Sequence, residues 1–134
     1  WMLANASAHV GHSIAHVMGG MYHIPHGACC AYSLPVVLET ISAALPEKVK
    51  EIGEILGASY NGAESVEEIG KKAAEAYKTF AYETVGVKPV GDYVANAPAF
   101  EELADRVVAE PLAGLSPVEI TKDVALEMLE KIFR

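Results

Sequence analysis

At 134 residues the chain has the length of one ordinary domain and can bury a useful core without disulfides, and with 51% hydrophobic and 21% charged residues it is too apolar to be a disordered chain. Eighteen acidic against ten basic residues give a net charge of -8, and the absence of any basic run excludes a phosphate backbone, and so nucleic acid, as a partner. Cys29 and Cys30 are adjacent, which excludes a disulfide framework and predicts a reducing compartment, the cytoplasm.

The pattern predicts helices throughout. Trp1 to about Met18 is alanine-rich and helical, with Gly19-Gly20 as its stop. The three histidines in this apolar stretch and the lack of a basic leading region argue against a signal or membrane segment. Trp1 reads as mid-element, so the native start is expected upstream. Tyr22 to Gly27, containing Pro25, reads as a short connection, and Ala28 to about Ala44 as a buried helix kinked at Pro35. Pro46 suits the first position of a third helix, whose stripe of Val49, Ile52, Ile55 and Leu56 ends at Gly57. Ser65 with Glu68 makes a capping box before a long helix striped by Val66, Ile69, Ala73, Ala76 and Phe80. Val85 to Val94 reads as a linker, and Phe100, Leu103, Ala104 and Val107 mark the next helix. The last helix, with Ala125, Met128, Leu129 and Ile132 on one side, starts somewhere between Ser116 and Thr121. No stretch alternates as a strand, and there is no Gly-rich phosphate loop or dinucleotide fingerprint. The predicted fold is all-α.

All five histidines, His9, His12, His16, His23 and His26, fall at one end of the chain. On a helix, His9, His12 and His16 stack along one face. A chain doubling back at the Gly-Gly turn would bring His26 opposite His12, as part of a metal coordination shell clamped by two helices. Histidines that merely decorate an alanine-rich helix are the plain alternative, and a three-histidine zinc site is another. The lack of a Glu between paired histidines speaks against metalloprotease chemistry. Asp and Glu are absent before Glu39, so a carboxylate ligand must come from later helices or from sequence outside this chain.

The string Gly11-His12-Ser13-Ile14-Ala15-His16-Val17-Met18-Gly19-Gly20, followed by Tyr22, Pro25-His26-Gly27 and Leu34-Pro35, resembles the C-terminal motif of the iron-containing (group III) alcohol dehydrogenases. Asn5-Ala6 resembles an upstream pair of that motif. The resemblance implies that residues 1–134 are the C-terminal helical metal-binding domain of a dehydroquinate synthase-like scaffold, with the nicotinamide-binding α/β domain upstream of this chain. It implies Fe2+, or Zn2+ as in related polyol dehydrogenases, held by one Asp and three His. His12 and His26 would be the last two of those ligands, with the Asp and the first His preceding Trp1. His16 would lie near substrate and nicotinamide as an orienting or proton-relay residue. The implied reaction interconverts a small alcohol and an aldehyde or ketone with NAD(P), and the isolated chain would be inactive.

Three positions depart from the pattern. His9 stands where the family has a small residue, Cys30 where many members have Asn, and Val36 where many have His; His23 has no fixed counterpart. Cys29 and Cys30 read as small apolar groups packed beneath the site. The competing reading is a stand-alone helical metal-binding or protein-interaction module. Apolar surface on these helices would face either a missing domain or a second copy of the chain in a homo-oligomer.

Overall fold

The computed structural model describes residues 8–96 and 98–134, and all regular structure among them is helical. Among the described residues six α-helices form the body: α1 Val10–Tyr22, α2 His26–Ile41, α3 Pro46–Ile55, α4 Val66–Thr79, α5 Phe100–Ala109 and α6 Lys122–Phe133. Asn5-Ala6 and the predicted helical start at Trp1 lie outside the described residues.

Helix α2 is the central element, packed by α1, α4 and α6. Its composition explains that position, since Cys29, Tyr32, Pro35, Val36, Val37, Leu38 and Ile41 are all buried and a helix apolar nearly all round must be covered on several sides. The helix continues through Pro35. Helices α1 and α2 approach closely at Gly11, where a Cβ would stand 3.0 Å from Val37 Cγ2. Helices α2 and α4 do the same at Gly70, where a Cβ would stand 2.9 Å from the Glu39 Cα. Lys131 of α6 reaches Glu39 of α2 at 2.9 Å, joining the last helix to the centre.

Helix starts follow local chemistry. Ser65 accepts from the Glu68 amide at 3.3 Å while Glu68 accepts from the Ser65 amide at 2.8 Å, the predicted capping box. Pro46 occupies the first turn of α3. Thr121 caps α6 by accepting from the Val124 amide. Ser116 accepts instead from the amide of Val10 at 3.1 Å, so it satisfies a free donor at the start of α1 from a segment far along the chain.

Several expectations are corrected. Gly19-Gly20 does not stop α1, which continues to Tyr22 and ends at His23 with φ 55 and ψ 31. Histidine is among the residues that enter this left-handed region more readily than most. Helix α2 begins at His26, with Pro25 in front of it. His9 precedes α1 in an extended conformation, so it does not share the face of His12 and His16. Ile52, Ile55 and Phe80 are exposed at 37%, 79% and 43%, and only Val49 and Gly53 of α3 are buried. The segment read as a linker is ordered: a wide π-type turn over Phe80–Val85 follows α4, Gly86 closes it at φ 77, and a short 3-10 turn spans Val90–Asp92. Tyr32 of α2 donates to the Lys88 carbonyl, tying this segment to the core. No described helix is long and apolar enough to cross a membrane.

Candidate metal and substrate site

Helix α1 sets His12 and His16 one turn apart on the same face. The left-handed residue His23 then turns the chain so that Ile24 is buried and Pro25 leads into α2. That reversal brings His26, the first residue of α2, back against α1. The His12 and His26 ring centroids lie 4.8 Å apart, as do those of His12 and His16, and His16 and His26 are separated by 5.8 Å.

The three rings have different surroundings. His12 is half-buried, whereas His16 and His26 are exposed. Burial first, then the neighbouring His16 and His26 imidazoles, hold the His12 pKa below its ordinary value, against an upward pull from Glu110. Near pH 7 His12 is therefore the neutral imidazole that can ligate a cation. His16 Nδ1 lies 3.3 Å from Glu110 Oε2. In the neutral tautomer whose Nδ1–H donates to that carboxylate, the other ring nitrogen is an acceptor. A cleft of about 400 Å³ opens beside this pair, lined in part by Gly20, Met21 and Arg106.

Sequence reading placed His12, His16 and His26 together, and the structure gathers all three. His9 and His23 do not stack with these rings, although His9 lies near enough to help lower the His12 pKa. His9 is half-buried, its Nδ1 has no hydrogen-bond partner among the described residues, and burial lowers its pKa; His23 ends α1 on the surface. The two cysteines separate as well. Cys29 is fully buried and donates to the Ile24 carbonyl at 3.7 Å, and burial pushes its thiol up to about 11, so it serves packing as expected. Cys30 is only half-buried, and its Sγ lies 3.5 Å from His26 Nε2, which corrects its reading as a residue packed beneath the site.

Glu110 was missed by sequence reasoning, because it lies 94 positions from its partner His16. The one available hint was the lack of any acid before Glu39, which required a carboxylate to arrive from a later element. As a donor set, the nitrogens of His12 and His26 and the sulfur of Cys30 lie within 4.8 Å of one another. Imidazole and thiolate suit a divalent transition cation, so these residues fit such an ion.

Residues 1–133 match the model of the "Fe-containing alcohol dehydrogenase family, C-terminal", and the chain belongs to that family. Among curated proteins it is 33% identical over 132 residues to alcohol dehydrogenase 4 of Saccharomyces cerevisiae, a match covering 96% of this chain and 32% of that protein. It is 31% identical over 130 residues to lactaldehyde reductase of Escherichia coli K12, covering 93% and 32% respectively. Among solved structures it resembles a 1,3-propanediol oxidoreductase with a TM-score of 0.83 at 25% identity, covering 98% of this chain and 34% of that one. The alcohol dehydrogenase from Oenococcus oeni superposes with a TM-score of 0.82 at 28% identity, covering 97% and 34%. These relatives are oxidoreductases of alcohols and aldehydes, and the chain spans about a third of their length.

Proposed function

We propose that this chain forms the metal-binding and substrate-facing wall of an alcohol dehydrogenase that interconverts a small alcohol and its aldehyde or ketone. The observation that carries the reading is the convergence of His12 from α1 and His26 from α2, with centroids 4.8 Å apart, beside a cleft edged by His16. His12 and His26 would hold a divalent cation, Fe2+ or Zn2+, together with ligands from sequence upstream. When bound, that cation supplies Lewis-acid polarisation of the substrate oxygen. An upstream α/β domain would carry NAD(P), whose nicotinamide exchanges the hydride, and the reaction would then lie in the cleft between the two domains.

The residues of this chain have separable tasks. His12, neutral near pH 7, and His26 bring ring nitrogens within 4.8 Å of each other. His16 is oriented by Glu110 and can take a proton on its other ring nitrogen and pass it toward solvent, as a relay requires. Val17, Met21 and Ala109 supply the apolar part of the cleft wall, beside the polar His16, Arg106 and Glu110.

The test is to express the open reading frame that carries this chain, load it with Fe2+ or Zn2+, and assay alcohol oxidation and aldehyde reduction with NAD and NADP. His12→Ala and His26→Ala are expected to lose metal and turnover together. His16→Ala is expected to keep its metal and lose about 10²- to 10⁴-fold in kcat, the range of a positioned proton-transfer group. The 134 residues alone are expected to turn nothing over. Turnover that persists in both ligand variants, or turnover by the 134 residues alone, overturns the reading. An upstream frame lacking both a Gly-rich nucleotide turn and an Asp-x3-His pair would favour the stand-alone module.

A further inference from the structure

The function above uses the imidazoles and leaves the sulfur donor beside them without a task. Cys30 stands four residues after His26 on α2, so the two side chains lie one turn apart on one helical face. Its Sγ is 3.5 Å from His26 Nε2. In a tetrahedral zinc site, with metal–sulfur near 2.3 Å and metal–nitrogen near 2.0–2.1 Å, a sulfur and a nitrogen ligand stand about 3.6 Å apart. The Cys30–His26 edge therefore already has the length of a ligand-to-ligand edge. The donor atoms of His12, His26 and Cys30 all lie within 4.8 Å of one another, so closing the third corner takes a side-chain adjustment of about 1 Å. A thiol–imidazole hydrogen bond would account for the 3.5 Å separation by itself. It gives no reason for His12, from another helix, to converge on the same pair.

We propose that Cys30 is a metal ligand, so that this chain alone presents a His12, His26 and Cys30 donor set that selects Zn2+ over Fe2+. The inference rests on His12 and His26 being ligands, as above. A thiolate is a soft donor, and Fe2+ lies below Co2+ and Zn2+ in affinity for such N/S sites. The thiol proton leaves to solvent as the cation binds, and the three donors of this chain leave the rest of the shell to ligands from sequence upstream. Adjacent Cys29 is excluded from the role by its complete burial and its bond to the Ile24 carbonyl.

The experiment is an optical titration of the chain with Co2+, reduced with a thiol-free reductant, followed by competition with Zn2+ and Fe2+; circular dichroism checks the fold of each variant. The wild type is expected to develop tetrahedral cobalt bands in the visible together with a sulfur-to-cobalt charge-transfer band in the near ultraviolet. Cys30→Ser and Cys30→Ala are expected to lose the charge-transfer band and at least about tenfold in Co2+ affinity, the lower end of what even an outer partner of a metal site contributes. Cys29→Ser is expected to keep both. Zn2+ displaces the cobalt, and an equal excess of Fe2+ does not. Visible bands that vanish in His12→Ala and His26→Ala but never carry charge transfer would overturn the Cys30 ligand and leave the two-histidine reading standing. Charge transfer that survives in Cys30→Ser, or its absence at millimolar Co2+, overturns it equally. Cobalt bands indifferent to all three residues would overturn both.

Discussion

Gly11→Ala couples helix packing to the metal site, because Gly11 lies one residue before His12 in the α1–α2 contact. A Cβ there would stand 3.0 Å from Val37 Cγ2 and 3.4 Å from Ser33 Oγ, against an ordinary carbon–carbon separation of about 3.5–4.0 Å. Val37 is buried at 1% exposure and, being β-branched in a helix, has almost no alternative χ1, so relief must come from moving α1 off α2 by about 0.5 Å. Replacing Gly in a helix contributes about 0.5–1 kcal/mol, whereas overpacking a filled interface costs about 1–3 kcal/mol. The expected net is a loss of about 1 kcal/mol, or roughly 4 °C in Tm for a chain of this size. A shift of that length matches the placement tolerance of a designed site, about 0.5 Å, so Zn2+ affinity should fall as well. Gly20→Ala is the control: it lies in the same helix, nothing stands within 4 Å of its Cβ position, and it should stabilise by up to about 1 kcal/mol. Thermal melts and Zn2+ titrations of both variants decide the matter. If Gly11→Ala raises Tm as Gly20→Ala does, with metal affinity unchanged, the close-approach argument is wrong.

The Glu64 carboxyl is held down to about 2, first by Lys72 and then by the backbone amide of Asn61, with a smaller contribution from Gly62. A carboxylate with a depressed folded-state pKa stabilises above its unfolded value of 4.5, and that stability is lost as pH falls toward about 2. The melting difference between wild type and Glu64→Gln should therefore be present at neutral pH and close across that acid window, and a gap independent of pH would refute it. His23 holds φ 55 at the end of α1, a region costing a non-glycine residue about 1 kcal/mol. His23→Gly should raise stability by up to about that amount in urea melts, while a clear loss would mean that the imidazole makes a stabilising contact there.

Much of the fold was legible because its signals are local. The Ser65–Glu68 capping box, Pro46 in a first turn and the Ala125, Met128 and Leu129 stripe of α6 each depend on residues within a turn or two of one another. The histidine cluster was equally legible, since spacing alone sets His12 and His16 on one face and the reversal before Pro25 needs only a short connection. Tertiary structure decided the rest. Whether α1 stops at Gly19-Gly20 depends on packing that keeps the helix intact to Tyr22, because helix propensity is weak beside burial. Whether Ile52 and Ile55 are buried depends on how few neighbours α3 has, which periodicity does not report. The Val10–Ser116 bond and the His16–Glu110 pair join segments distant in sequence, and Cys30 meets His12 only across the α1–α2 interface. Sequence by itself determined the helices, the family motif and the donor types gathered at one end of the chain. Only the packing of α1, α2 and α5 brought Glu110 and Cys30 to the histidines, because side-chain convergence between helices is set by interhelical geometry, which no local pattern encodes.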